Sequence, residues 1–98
     1  TALFAANMGA IAVPTLVTYE KLTSEGAAMG FPADSLAKVE NVRKAGMGSL
    51  SIMHEAGLTM AYGTDLLGDM HCHQSDEFVI RGRDFVVTVN RFGLRMTL

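Results

Sequence analysis

Two short apolar runs, separated by a long amphipathic stretch, stand out in the pattern of hydrophobic and polar positions. Residues 10–17 and 58–62 are almost continuously apolar, as strands buried on both faces usually are. Between them, apolar residues recur every three to five positions over 35–56 and predict a helix with one apolar face. The order strand, helix, strand predicts a βαβ unit with two parallel strands, and therefore an α/β fold.

Glycines and capping residues predict where these elements begin and end. Residues 2–8 are apolar and favour helix, and Gly9 is placed to end it. Asp34 or Ser35 is expected to cap the long helix at its start, and Gly57 to end it.

The remaining segments have weaker patterns. Residues 18–33 are expected to form a long connection, with a short helix over 19–28. A further helix is expected to begin at Asp76, after Ser75. The β-branched residues of 85–89 predict a strand, followed by a turn at 90–93.

The composition is that of a globular protein, with 49% hydrophobic and 18% charged residues. The net charge of −2 lacks the electrostatic footprint of a nucleic-acid-binding protein. Four arginines near the end are expected to form a solvated face: Arg81, Arg83, Arg91 and Arg95. The apolar stretch 5–17 is too short and too broken to span a bilayer, so no membrane partner is expected. The single cysteine, Cys72, fits a reducing compartment and a cytoplasmic location.

Asp65 is the first candidate for chemistry, because it follows the second apolar run at the end of a predicted strand. A carboxylate there can bind a divalent metal or accept a proton from metal-bound water. A turn aspartate with no catalytic role is the alternative. Tyr19 follows the first predicted strand and is a weaker candidate on the same side of the βαβ unit.

His71 and His73 flank Cys72 and form the second candidate. In an extended segment, residues two apart share a face and both imidazoles can bind one metal; in a helix they diverge. The segment follows Leu67 and Gly68 rather than a strand, so the histidines are expected in a loop. Metal ligands, substrate-facing residues and ordinary surface histidines remain the alternatives.

Several segments together resemble the amidohydrolase superfamily, in particular its imidazolonepropionase-like and Xaa-Pro dipeptidase-like branch. They are Gly-Thr-Asp-Leu-Leu-Gly at 63–68, Met-His at 70–71, His-Gln-Ser-Asp-Glu-Phe at 73–78, Val-Pro-Thr-Leu-Val-Thr-Tyr at 13–19 and His-Glu-Ala-Gly at 54–57. The resemblance covers residues 1–81, and residues 82–98 form a divergent tail.

The resemblance implies a (β/α)₈ TIM barrel with zinc or another divalent metal. Residues 11–17 would be its seventh strand, 35–56 the seventh helix and 58–63 the eighth strand. Asp65 would be the catalytic and metal-contacting aspartate, and His71, His73 and Tyr19 would face a small-molecule or dipeptide-like amide substrate. The reaction would be hydrolysis of an amide C–N bond by metal-activated water.

A chain of 98 residues is too short for a complete barrel of about 200 residues or more. It begins at Thr1, and we expect a piece of something longer that is inactive alone. A companion barrel segment or an oligomer would then cover its open strands. Two alternatives remain: a structural or oligomerising module without catalysis, and a small metal-binding protein that uses His71, Cys72 and His73.

Overall fold

Two parallel strands joined by a helical crossover form the frame of the molecule. The computed structural model describes residues 1–83, 85–90 and 93–97, with side chains up to residue 85. Its elements, in chain order, are α1 (Ala2–Asn7), β1 (Ile11–Ala12), α2 (Leu16–Glu25), α3 (Ala33–Glu55), β2 (Thr59–Met60), a 3₁₀ helix (Gly68–His73), α4 (Asp76–Arg81), β3 (Val86–Asn90) and β4 (Gly93–Thr97).

The parallel strand pair confirms the predicted βαβ unit and α/β fold. Ile11 pairs with Thr59 and Ala12 with Met60, in parallel register. The amide of Ala61 extends the pairing by donating to the carbonyl of Ala12 at 2.8 Å. The carboxyl ends of both strands therefore lie side by side.

Both strands are shorter than predicted, and the expected bounds of 11–17 and 58–63 were wrong. Leu16 and Val17 begin helix α2, which runs to Glu25 and so includes residues 19–25 of the short helix expected over 19–28. Pro14 supplies no amide donor to a sheet. The first amides of α2 instead donate to a distant carboxylate, that of Glu77, which caps the helix from 60 residues away. Local apolar pattern did not reveal this cap.

Helix α3 confirms the long amphipathic helix, although its start differs. Pro32 occupies the N-cap position and no side chain caps the helix, so the expected caps Asp34 and Ser35 lie inside the first turn. A Cβ at Gly46 would lie 2.9 Å from Leu16 Cδ2, which shows how closely α2 packs on α3 here. Gly57 ends the helix with φ of +72°, as predicted.

Helix α4 begins at Asp76, as predicted, with Ser75 at its N-cap position. Strands β3 and β4 pair in antiparallel register, so the predicted strand at 85–89 is also confirmed within one residue. Of the predicted turn, Arg91 and Phe92 lie outside the described residues.

Two apolar clusters hold these elements together. The larger joins α2, the segment after β2, the 3₁₀ helix and α4 through Val17, Leu22, Leu66, Met70 and Ile80. In the smaller, Leu50 of α3 and Phe85 are buried together. The segment that follows β2 is thus packed on α2 and α4.

A different surface, formed by α1 and β1, is open to solvent. Its large apolar side chains, which we call the α1–β1 surface, are more than half exposed: Leu3, Phe4, Met8 and Ile11. Within the described part of the chain, no helix combines the length and the apolar character that crossing a membrane requires.

Candidate functional site

Asp65 lies just beyond the carboxyl end of β2, with its side chain exposed. Its backbone has φ of +53°, in the left-handed region, and no other non-glycine residue among those described has positive φ. For an L-residue this conformation costs roughly 1–2 kcal/mol, although aspartate tolerates it better than most. Such outliers concentrate where a site needs a fixed backbone.

Two contacts with helix α2 hold the backbone around Asp65. The buried hydroxyl of Thr18 donates to the carbonyl oxygen of Asp65 at 2.7 Å. The next residue, Leu66, is buried in the cluster that contains Val17. One polar and one apolar contact therefore fix successive residues of the strand-end segment against successive residues of α2.

A buried ion pair lies behind these contacts. Glu77 and Arg81 both have 0% exposed surface, and Arg81 Nε lies 2.8 Å from Glu77 Oε1. The Glu77 carboxylate accepts the amides of Leu16 at 3.3 Å and Val17 at 2.7 Å. It therefore caps α2 and places a negative charge at the positive end of the helix.

Arg81 also donates to a carbonyl after each parallel strand, those of Pro14 and Ala61. The guanidinium thus ties the two strand ends to α4, and the pair ties α4 to α2. We call Thr18, Asp65, Glu77 and Arg81 the strand-end network. Among the described residues, no buried side-chain nitrogen or oxygen lacks a hydrogen-bond partner.

The expectation that Arg81 belongs to a solvated face was wrong. The side chain is fully buried, whereas Arg83 reaches a carboxylate at the surface, that of Glu20, at 2.9 Å. The spacing of Glu77 and Arg81, four residues apart on one helix, was the available signal for an ion pair. Spacing does not distinguish a buried pair from an exposed one, so the sequence did not identify these residues. The side chains of Arg91 and Arg95 lie outside the described residues.

Tyr62 packs beside Arg81 at one side of the network. Its ring stacks on Phe78 with centroids 4.2 Å apart, and the Arg81 guanidinium carbon lies 5.7 Å from the ring centroid. The hydroxyl donates to the carbonyl of Gln74. Burial, and next the nearby Glu77 charge, raise the pKa of Tyr62 above its ordinary value.

The two candidate histidines have different surroundings. His73 is half-buried, with Nε2 3.0 Å from Glu25 Oε1 and Nδ1 3.6 Å from Asp76 Oδ2. Lys21 Nζ approaches the same Asp76 oxygen at 3.3 Å. His71 is exposed on the same 3₁₀ helix. Because this helix has about three residues per turn, residues two apart point in different directions.

Solved structures similar to this chain identify its family. The chain matches a prolidase solved in complex with N-methylphosphonate-L-proline at 49% identity and a TM-score of 0.78, over 83% of this chain and 20% of that one. A structure described as an uncharacterized protein matches with the same values. An amidohydrolase matches at 52% identity and a TM-score of 0.76, over 81% of this chain and 19% of that one. The chain belongs to the amidohydrolase superfamily.

Within that superfamily, the chain lies in the Xaa-Pro dipeptidase-like branch, as the sequence resemblance indicated. It spans about a fifth of the length of the solved structures it matches. No protein-family model matches the chain, and no curated protein matches it.

The described residues of this amidohydrolase chain do not form a metal site by themselves. No group of three histidine, cysteine, aspartate or glutamate side chains in the described part is arranged to hold a metal ion. His73 instead contacts Glu25 and Asp76, and His71 is exposed. This gives no support to the alternative of a small metal-binding protein built on His71, Cys72 and His73.

Tyr19, the remaining candidate, lies on the face of α2 that is turned toward α3. It lines a cavity of about 490 Å³, together with Val13, Asn41 and Ser49. Neither Asp65 nor the candidate histidines line that cavity. The structure therefore brings Thr18, rather than Tyr19, to Asp65.

Proposed function

We propose that the chain supplies the last two strands of a (β/α)₈ barrel in a metal-dependent amidohydrolase that hydrolyses an amide C–N bond. Residues 1–81 would form this part of the barrel, with β1 as the seventh strand and β2 as the eighth, and residues 82–98 a divergent tail. The observation that carries the proposal is the exposed Asp65 at the carboxyl edge of a parallel strand pair. Barrel enzymes place their active sites at that edge.

The solved prolidase supports a proposal for the substrate class. Its ligand joins a tetrahedral phosphonate to L-proline. Tetrahedral phosphorus has the shape of the carbon that forms when water adds to an acyl-proline amide, and enzymes bind such shapes more tightly than substrate. We infer that a dipeptide-like amide with proline on the leaving side is the substrate of the assembled enzyme.

Asp65 would transfer the proton in this reaction. As the water oxygen bonds to the amide carbon, its proton passes to the Asp65 carboxylate. The same proton then moves to the amide nitrogen as the C–N bond breaks, which leaves a carboxylic acid and an amine. The exposed carboxylate, on a backbone fixed by Thr18, supports this assignment.

His71, His73 and Tyr19 would contact the substrate in this proposal. His71 has the strongest support, because it is exposed six residues after Asp65. His73 is held by Glu25 and would act from that fixed position. The zinc or other divalent metal of the superfamily would need ligands beyond those that the described residues offer.

A chimera tests the proposal directly. Residues 1–81 would replace the matched fifth of the solved prolidase, and hydrolysis of Xaa-Pro dipeptides would be measured. We expect turnover in the chimera, and a loss of roughly 10²–10⁴-fold in Asp65→Asn if the carboxylate transfers the proton. Asp69→Asn, a change at a second exposed aspartate of the same segment, is the matched control and should retain activity. Equal activity of the Asp65→Asn and unchanged chimeras would contradict the proposal.

The isolated chain provides a second test. Because the described residues hold no metal cluster, we expect negligible hydrolysis of an acyl-proline amide with added zinc. Zinc-dependent turnover by the chain alone, abolished by Asp65→Asn, would show that the site is complete without other segments. The cytoplasmic location also stays a prediction, which localisation of the tagged chain would test.

A structural or oligomerising module is the second candidate, favoured by the α1–β1 surface. Phe4 is 70% exposed and Ile11 64%, although each fully buried side chain of this size would contribute about 1.5–3 kcal/mol. The occupant would be a second copy or a companion barrel segment. Light scattering after size-exclusion chromatography should show association that Phe4→Ser with Ile11→Thr weakens. A stable monomer at all concentrations would count against this candidate.

A further inference from the structure

Thr18 occupies a place in the strand-end network that the reaction chemistry above does not use. It lies in the first turn of α2, is buried, and directs its hydroxyl away from its own helix to the carbonyl of Asp65. Thr23 on the same helix shows the ordinary alternative, because its hydroxyl donates to the carbonyl of Tyr19 four residues earlier. The Thr18 hydroxyl thus serves a long-range contact rather than its own helix.

We propose that Thr18 is a positioning residue for Asp65, and that its hydroxyl holds residue 65 in the left-handed backbone conformation that presents the carboxylate at the strand edge. The inference rests on the proposed function in that Asp65 is the reacting carboxylate. The hydrogen bond orients the peptide unit that follows Asp65, while burial of Leu66 fixes the next residue. With both fixed, the Asp65 backbone has little freedom to relax to negative φ.

The position of Thr18 is itself determined by the buried ion pair. Glu77 accepts the amides of Leu16 and Val17, which directly precede Thr18. Arg81 holds Glu77 and the carbonyl of Ala61, four residues before Asp65. The Arg81 guanidinium is therefore connected to both sides of the Thr18–Asp65 contact: through Glu77 to the start of α2, and through the Ala61 carbonyl to the segment that carries Asp65. This connection distinguishes Thr18 from a hydroxyl that merely satisfies a nearby carbonyl.

Backbone NMR of the complete isotope-labelled chain tests the inference without any turnover. Thr18→Val keeps the shape of the side chain and removes the donor. We expect the Asp65 carbonyl ¹³C resonance to move upfield, the Asp65 ¹³Cα shift to leave the left-handed range, and residues 64–66 to lose order in heteronuclear NOE. Thr18→Ser restores the hydroxyl and should restore all three signals. Thr23→Val removes a hydroxyl from the same helix and should leave them unchanged.

Two results would overturn the inference: unchanged Asp65 signals in Thr18→Val, or Thr18→Ser behaving like Thr18→Val. If Thr18→Val prevents folding, the change is repeated with Asp65→Gly, because glycine adopts positive φ without a Cβ penalty. The inference expects that double variant to fold, and its failure to fold would overturn the inference as well. These readouts concern the backbone of residue 65, so an inactive chimera would contradict the proposed function without deciding the role of Thr18.

Discussion

The strand-end network and the α1–β1 surface lie at the two ends of the same short strand, but the first consists of buried charged and polar groups and the second of exposed apolar side chains. At the carboxyl end, two fully buried charges satisfy backbone groups from α2 and from the residues that follow both strands. At the amino end, Leu3, Phe4, Met8 and Ile11 remain more than half exposed. The first region is completed by residues of this chain, whereas the second offers apolar area that only another surface can cover.

The difference shows which properties belong to the chain and which to a larger assembly. A buried charge without its partner is strongly unfavourable, so the network must form within this chain if the strand ends are to stay together. Exposed apolar side chains carry no comparable penalty in an isolated molecule, since much of any protein surface is apolar. The edge that bears Asp65 is thus predicted to be ordered before any partner binds.

The largest expected effect comes from breaking the buried pair. Glu77→Leu and Arg81→Met each break the buried pair, and Arg81→Met leaves the buried Glu77 carboxylate without the guanidinium beside it. Each change alone should destabilise the chain by about 3–5 kcal/mol. Urea denaturation followed by circular dichroism measures the loss. The double change should lower the free energy of unfolding by less than the sum of the two single changes, because neither buried charge is then present. Arg43→Met, which breaks the half-buried pair with Glu40 at the surface of α3, is the control and should have a much smaller effect.

The sequence predicted the frame of the fold, but it did not predict this network. Spacing of apolar residues identified α3, and continuous apolar runs identified two parallel strands, because both patterns arise from local periodicity and burial. The assignment of Leu16 and Val17 to a strand failed because their amides bind a carboxylate about 60 positions away. Only tertiary structure brings that cap to the helix.

In the candidate site, too, local sequence patterns reveal some residues, and only the tertiary structure reveals others. Asp65 was recognisable because the end of an apolar run can be read locally and because the surrounding segments resemble a known superfamily. Thr18 was not, since nothing in a threonine on an apolar stretch specifies the carbonyl its hydroxyl will meet. The sequence favours its neighbour Tyr19 as a site residue, yet Tyr19 lies on the side of α2 that faces α3.

A smaller effect is expected where Gly63 and Val13, in the segments that follow the two strands, pack against each other. A Cβ at Gly63 would overlap Val13 Cγ1, so Gly63→Ala should destabilise the chain by about 1–3 kcal/mol. Adding Val13→Ala should recover part of the loss, which thermal or urea unfolding would show. Gly48→Ala is the matched control: a Cβ there meets nothing within 4 Å, and the helix should gain roughly 0.5–1 kcal/mol. Equal effects at Gly63 and Gly48 would contradict close packing at the strand ends.

Substitutions on the α1–β1 surface, unlike those in the strand-end network, should hardly change the free energy of unfolding. Phe4→Ser with Ile11→Thr removes apolar area that the isolated chain does not bury, so the free energy of unfolding should change by no more than about 0.5 kcal/mol per site. Urea denaturation at low protein concentration measures this without association. A loss comparable to that of the Glu77 variant would show that this surface is buried in the monomer, and the contrast between the two regions would fail.

The smallest expected effect is a pH dependence at the edge of the strand-end network. Burial, followed by the Glu77 charge, raises the pKa of Tyr62, while the unfolded tyrosine ionises near about 10. Because the folded pKa is the higher one, the stabilisation is fully present below pH 10 and is lost as pH rises through the folded value. Tyr62→Phe should therefore flatten the alkaline decline in the free energy of unfolding. Ionised Tyr62 would also lose the proton it donates to the Gln74 carbonyl, beside the 3₁₀ helix that carries both candidate histidines. If the decline persists unchanged in Tyr62→Phe, ionisation of the Tyr62 ring does not cause it, and the raised pKa of Tyr62 contributes nothing measurable to stability.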